Sequence, residues 1–371
     1  MRQTMQMPVH HLLNGATDTV TAGPEGPALD YERTVDRTVV HRESLAEVFV
    51  TDTQPLGGDA HAAAAQLPRS HAYYGDHLLR PRRHDPVLLL EACRQVGLAI
   101  AHTHYGVPFD HKFVLTTLGI TITRPELMTV GTAPCALRML CSVGDKRVKE
   151  GRVVGYDARF RLFVGGTEVG NAVVGLRFKS PASYEALRLR NRSGEPVPST
   201  ETFDFTVGGE LPAPYLVGRS NGDNVVLTGL AGAGDTVSAS LRVLPQHPSL
   251  FDHAQDHLPG MVLIEAGRQL ALNTLLEVRG TSPAKAYPTE ITATFTSFGE
   301  LEPRTELRAV TAPAGAEGTE EDGVYYTQGG IVEFLAPTGG PDPAPTSVEV
   351  DVLQRGASIC RIEVGLVRLP A

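Results

Sequence analysis

A stretch near residue 90 recurs near residue 264, and this repetition restricts the fold more than any other feature of the chain. Asp85-Pro86-Val87-Leu88-Leu89-Leu90-Glu91-Ala92-Cys93-Arg94-Gln95 is echoed by Pro259-Gly260-Met261-Val262-Leu263-Ile264-Glu265-Ala266-Gly267-Arg268-Gln269. With Glu91 set on Glu265, the alanine, arginine and glutamine also coincide. Upstream, His71 and Asp76-His77 are matched by His247 and Asp252-His253, with five residues from His to Asp in both. The offsets are 174 to 176 residues, close to half of the 371. A period of half the chain predicts two related units. The expected map is an N-terminal arm at 1–36, a first unit at 37–185, a linker at 186–214 and a second unit at 215–371.

Each copy reads as a helix that is apolar nearly all round, which belongs inside a protein. A Pro opens each copy, as suits a first helical turn. The exceptions to apolarity are Glu91 with Arg94 and Glu265 with Arg268, three residues apart and therefore neighbours on a helix. Taken singly, either pair is a plausible structural ion pair, since a buried charge is costly unless paired. Its recurrence early in both helices marks a site.

Period-2 alternation and turn residues predict strands around these helices. In the first unit they fall at residues 48–51, 60–67, 113–123, 133–143, 151–164 and 171–178, with Gly165-Gly166 as a hairpin turn. In the second they fall at 225–228, 236–244, 290–298, 305–311, 324–334 and 359–368. Residues 312–323 and 337–346 read as acidic or Pro/Gly-rich loops. Long apolar helices among antiparallel strands, twice over, predict an α+β fold in which two sheets each wrap a central helix and pair with each other.

Composition narrows the function. No run of 18 apolar residues exists, so no membrane span is expected, and the first residues lack a signal-peptide pattern. The net charge of -9 argues against general nucleic-acid binding. Four cysteines (Cys93, Cys135, Cys141 and Cys360) show no metal-ligand spacing and point to a reducing, cytoplasmic setting. No metal site or Gly-rich phosphate loop is expected. Serine and cysteine nucleophile motifs are also missing, which favours direct attack over an acyl-enzyme. Arg80, Arg82 and Arg83 before the first helix, and Arg188, Arg190 and Arg192 in the linker, are basic clusters to which an acidic partner would be drawn, or simply solvated charge runs.

A helix reading apolar-apolar-Glu-Ala after Pro-Gly and a His-containing loop resembles the hotdog fold of fatty-acid hydroxyacyl-thioester dehydratases. His77 lies 14 residues before Glu91, and His253 lies 12 before Glu265. Those dehydratases, however, carry a small or apolar residue where Arg94 and Arg268 stand. The Glu-Ala-x-Arg-Gln signature in two copies, with Val107-Pro108-Phe109-Asp110-His111, is similar to the A-factor synthase family. These are the double-hotdog synthases of gamma-butyrolactone, butenolide and furan signalling molecules. The resemblance spans roughly residues 35–370.

That resemblance implies transfer of a beta-ketoacyl group from an acyl carrier protein thioester to the hydroxyl of dihydroxyacetone phosphate. It implies no cofactor beyond the phosphopantetheine that carries the substrate. Glu265 is the expected base, with Glu91 second, since a carboxylate in an apolar wall can have its pKa raised. Arg268 is the expected catalytic cation for the phosphate, with Arg94 as its counterpart. The amides near Gly260 and Met261 would serve the oxyanion at a helix N-terminus. His77, His253 and Gln269 complete the expected substrate-binding set. One tension is built in, because a tight Arg268–Glu265 pair lowers the carboxylate pKa. A thioester dehydratase or hydrolase and a silent acyl-binding module are the alternatives. Association beyond the internal pair is left open.

Overall fold

The computed structural model describes residues 27–205, 208–311, 325–327, 330–332 and 345–369. The first half holds β1 (Val50–Gly57), β2 (Ala60–Leu67), helix α1 (Pro86–Thr103), β3 (Lys112–Ile122), β4 (Cys135–Lys149), β5 (Arg152–Val164) and β6 (Thr167–Lys179). Helix α2 (Pro181–Asn191) leads out of it. The second half holds β7 (Leu227–Ala233), β8 (Thr236–Leu241), helix α3 (Gly260–Arg279), β9 (Ala286–Phe295) and β10 (Thr305–Thr311). The short hairpin strands β11 (Tyr325–Thr327) and β12 (Gly330–Val332) follow, then β13 (Thr346–Gln354) and β14 (Ala357–Arg368).

The strands run β1-β2-β4-β5-β6-β3-β9-β14-β13-β10-β8-β7 across one twelve-stranded antiparallel sheet. Read inward from either edge, the two halves have the same order, so the sequence repeat is a spatial pseudo-two-fold. The expected tandem double hotdog is present, and its two sheets merge edge to edge. β3 and β9 meet in the middle, Thr117 opposite Thr294 and Thr121 opposite Glu290.

Each central helix is wrapped by its half-sheet. Every residue of α1 except Arg94 and Thr103 is buried. In α3, Met261 through Leu275 are all buried, Arg268 included. Burying Leu88, Leu89 and Leu90 contributes about 1.5–3 kcal/mol each. The variable position of the shared signature follows from packing. A Cβ on Gly267 would come within 2.7 Å of Ile362 Cδ1, so α3 packs closely on β14 there and a larger residue would force the isoleucine to shift. Cys93, at the same position of α1, is buried beside the Met139 sulfur.

The hairpin at Gly165-Gly166 has positive φ at both residues, 56° and 80°, which suits the right-handed twist of the flanking strands. Three elements differ from expectation. β1 runs on from the expected 48–51 through Pro55 to Gly57, with a register shift, before the chain turns at Gly58-Asp59. β13 was not assigned, although Val348, Val350 and Val352 point inward between Glu349 and Asp351. The boundary expected at 185/186 falls inside α2, and Arg188 of the expected linker is fully buried against Glu300 and Asp256. The described part of the N-terminal arm is packed, since Asp30 N donates to Asp52 and Val35 N to the Val50 carbonyl. The rest of the arm, and residues 324, 328–329 and 333–334 of the strand expected at 324–334, lie outside the described residues.

Candidate active site

Two carboxylate centres sit on the pseudo-two-fold, one per central helix. On α3, Glu265 is fully buried and saturated. Oε1 accepts from Arg219 Nε at 2.9 Å, from Arg219 Nη2 at 2.7 Å and from Gln269. Oε2 accepts from the Tyr73 hydroxyl at 2.9 Å and from Arg268. Arg268 is closed from its other side, with Nη1 donating to Asp85 Oδ2 at 2.5 Å. Arg219 spends its remaining donor on the carbonyls of Tyr73 and Asp76, and its guanidinium lies over the Tyr73 ring. The cavity lined by Arg268, Asp85, His77 and Tyr287 measures about 30 Å³, room for one water.

On α1, Glu91 is equally buried but its surroundings are different. Oε1 accepts from Arg42 Nη2 at 2.6 Å, from Arg94 Nη2 at 2.8 Å and from Gln95 at 2.8 Å. Oε2 accepts from Arg94 Nε at 2.7 Å. Burial would raise this carboxyl, yet Arg42 and Arg94 outweigh it and bring the pKa to about 2. Glu91 is therefore an anchor for two guanidinium groups and holds no proton near neutral pH. Arg94 touches no second carboxylate among the described residues, and its Nη1 has no partner there. Its side chain is 14% exposed against 7% for Arg268.

The difference traces to one position. With Glu91 on Glu265, Asp85 stands on Pro259, and both are the N-cap residues of their helices. Asp85 accepts from Val87 N and so caps α1 while holding Arg268. Pro259 offers no side-chain cap, so the first amides of α3, at Gly260 and Met261, keep their donors. Under the same correspondence the position that matches Asp85 is Pro259, which has no side-chain acceptor.

Loops exchange across the seam. Asp76 of the first half accepts from Ser220 N, Asn221 N and Asn224 Nδ2 of the second. Asp252 of the second half accepts from Glu43 N at 2.7 Å and Ser44 N at 3.0 Å of the first. The adjacent histidines diverge. His77 is bound through Nε2 to the Arg83 carbonyl at 2.7 Å, and its Nδ1 is buried without a partner. His253 has Nδ1 3.3 Å from Asp252 and is 36% exposed. It faces His41, which is burdened by burial and by the charges of His102, Arg94, His253 and Lys112, so that its pKa falls to about 3. His41 Nε2 lies 2.7 Å from His102 Nε2.

Of the two arginines, Arg94 is the more exposed. Glu265, Arg268 and Gln269 form a closed network with Arg219, Tyr73 and Asp85. Around α1, Arg94 and His253 are part-exposed, whereas Glu91 and Met261 are buried. Gln269 has a structural task, donating to the Asn224 carbonyl and accepting from Val226 N. His71 and His247 do the same for their turns, each Nδ1 accepting from two backbone amides. The linker arginines Arg188 and Arg192 are spent on Glu300 and Glu302. Arg80 and Arg83 bind the carbonyls of Leu79 and Pro125.

Arg42 and Arg219 were not singled out from the sequence. A signal exists for both: Arg42-x4-Glu47-Val48 and Arg219-x4-Asn224-Val225 recur at an offset of 177. Each lies between matching 3-10 turns, Arg37–Val40 and Leu45–Glu47 around Arg42, Pro214–Val217 and Gly222–Asn224 around Arg219.

Known proteins resemble this chain over most of its length. A protein of Streptomyces virginiae described as 2-oxo-3-(phosphooxy)propyl 3-oxoalkanoate synthase is 33% identical over 291 residues, 78% of this chain and 91% of that protein. Synthases of the same description from Streptomyces coelicolor and Streptomyces griseus are each 30% identical, covering 89% and 85% of this chain and 97% and 95% of their own lengths. The family profile of the A-factor biosynthesis hotdog domain matches residues 27–179 and 212–328, and the chain belongs to that family.

Proposed function

We propose that the protein is an acyltransferase that joins a beta-ketoacyl group, delivered as an acyl carrier protein thioester, to a hydroxyl of dihydroxyacetone phosphate. The product is the beta-ketoacyl ester of that phosphate, which can lose water by intramolecular condensation to a butenolide phosphate. The observation that carries this reading is the Arg94 Nη1 left without a partner among the described residues, together with the uncapped N-terminus of α3. A guanidinium with a free donor edge binds a phosphate through charge-assisted hydrogen bonds. The Gly260 and Met261 amides stabilise the oxyanion of the attacked thioester. A dehydratase has no second anion for Arg94 to hold. The names of the relatives point the same way. The reading needs no protein-bound cofactor and places the protein in the cytoplasm, with the carrier and the triose phosphate. No described helix is long and apolar enough to cross a membrane.

The test is incubation with a beta-ketoacyl thioester and dihydroxyacetone phosphate, followed by mass spectrometry. Ester or butenolide phosphate is expected. An enoyl product or free acid would make the protein a dehydratase or hydrolase, and no turnover would make it a binding module.

A further inference from the structure

The transfer needs a proton acceptor, and neither glutamate expected for that task is available. Glu265 receives donors from Arg219, Arg268, Gln269 and Tyr73. Glu91 receives them from Arg42, Arg94 and Gln95. His41 and His102 are paired with each other, and His102 Nδ1 is also bound to the Val107 carbonyl at 2.7 Å. His257 is held by Asp256 at 2.5 Å and packs on Phe298. Its carboxylate partner is shared with Tyr184 and Arg188 beside α2.

We propose that His253, oriented by Asp252, is the general base of the transfer reaction, supplied by the second half to the site on α1. This rests on the acyltransferase reading. The geometry of the loop carries it. Asp252 is buried and fixed by two backbone amides of the opposite half. An ionised carboxylate only accepts, so the imidazole Nδ1 donates to it and Nε2 is left bare. That is the tautomer a base requires. Beside His253 stand Asp252 from its own loop and, from the first half, the Glu43–Ser44 backbone that holds Asp252 and follows Arg42, the partner of Glu91. The acceptor O–H proton moves to Nε2 as its oxygen bonds the thioester carbon. The oxyanion then re-forms the carbonyl, the C–S bond breaks, and the leaving thiolate takes the proton from the imidazolium.

Replacing His253→Ala should lower kcat about 10²–10⁴-fold, leave the affinity for dihydroxyacetone phosphate within about 3-fold, and be partly rescued by added imidazole. Asp252→Asn, a change at a positioning residue, should lower kcat less than His253→Ala while leaving KM for dihydroxyacetone phosphate within about 3-fold. His257→Ala should leave kcat unchanged. Retained kcat in folded His253→Ala overturns the assignment, as does a loss that appears only in KM and resists imidazole. Wild-type enzyme that transfers nothing to dihydroxyacetone phosphate overturns both this assignment and the function it rests on.

Discussion

The two carboxylate centres start from the same residues and end in opposite states. Both have a buried glutamate, an arginine one turn on, a glutamine beside it and a second arginine from between two 3-10 turns. At α3 the arginine is gripped by two carboxylates and adjoins a water-sized cavity. At α1 it is gripped by one. A site is therefore made here by what is withheld from an arginine rather than by what is added to it. Asp85 satisfies Arg268, whereas Pro259, at the matching position, has no side-chain acceptor.

This contrast can be attacked directly. The largest effect should come from closing the open site. Pro259→Asp puts an acceptor where Asp85 stands in the other half, and kcat/KM should fall more than about 10³-fold with the fold intact by circular dichroism. Arg94→Gln should cost about 10²–10³-fold in kcat/KM for dihydroxyacetone phosphate. Opening the sealed site should act on stability instead. Asp85→Asn leaves a buried guanidinium short of a partner and should cost about 3–5 kcal/mol in denaturant unfolding. Its kcat should stay within about 3-fold of wild type. If Asp85→Asn abolishes turnover without unfolding the chain, the division of labour between the halves is wrong.

The smallest effect is in pH. His41 and His84 are neutral in the folded chain, with pKa values held at about 3 and about 4, burial being the main cause in each. When unfolded they regain the ordinary 6.5 and bind protons more readily. Stability should therefore be flat above pH 6.5 and decline as pH falls toward 4 and then 3. Glu91 adds its own loss as pH drops from 4.5 toward 2. Thermal melts across pH 4–8 should show the first decline, and His41→Gln should flatten it.

Much of this was legible in the chain. The repeat gave the pseudo-symmetry, and the apolar helices gave the core. Glu91, Arg94, Glu265 and Arg268 were visible because charge is rare in such helices. The choice between the pairs was not, since Arg268 is silenced by a residue 183 positions away that only the folded seam brings into reach. Asp85 and Pro259 do fall on each other in the repeat, but an N-cap residue reads as local helix chemistry until a partner from the other half is seen. Arg42 and Arg219 lie 49 and 46 residues from the glutamates they bind, beyond any local periodicity. Their recurrence was the one available clue.

The β3–β9 pairing gives this asymmetry its opportunity. Were the halves separate identical subunits, any substitution at one helix cap would appear at both, and an acid that braces one arginine would block the other. Joined in one polypeptide and along one hydrogen-bonded edge, the twins are free to take different duties: one braces the assembly and, in the function proposed above, its sibling handles substrate.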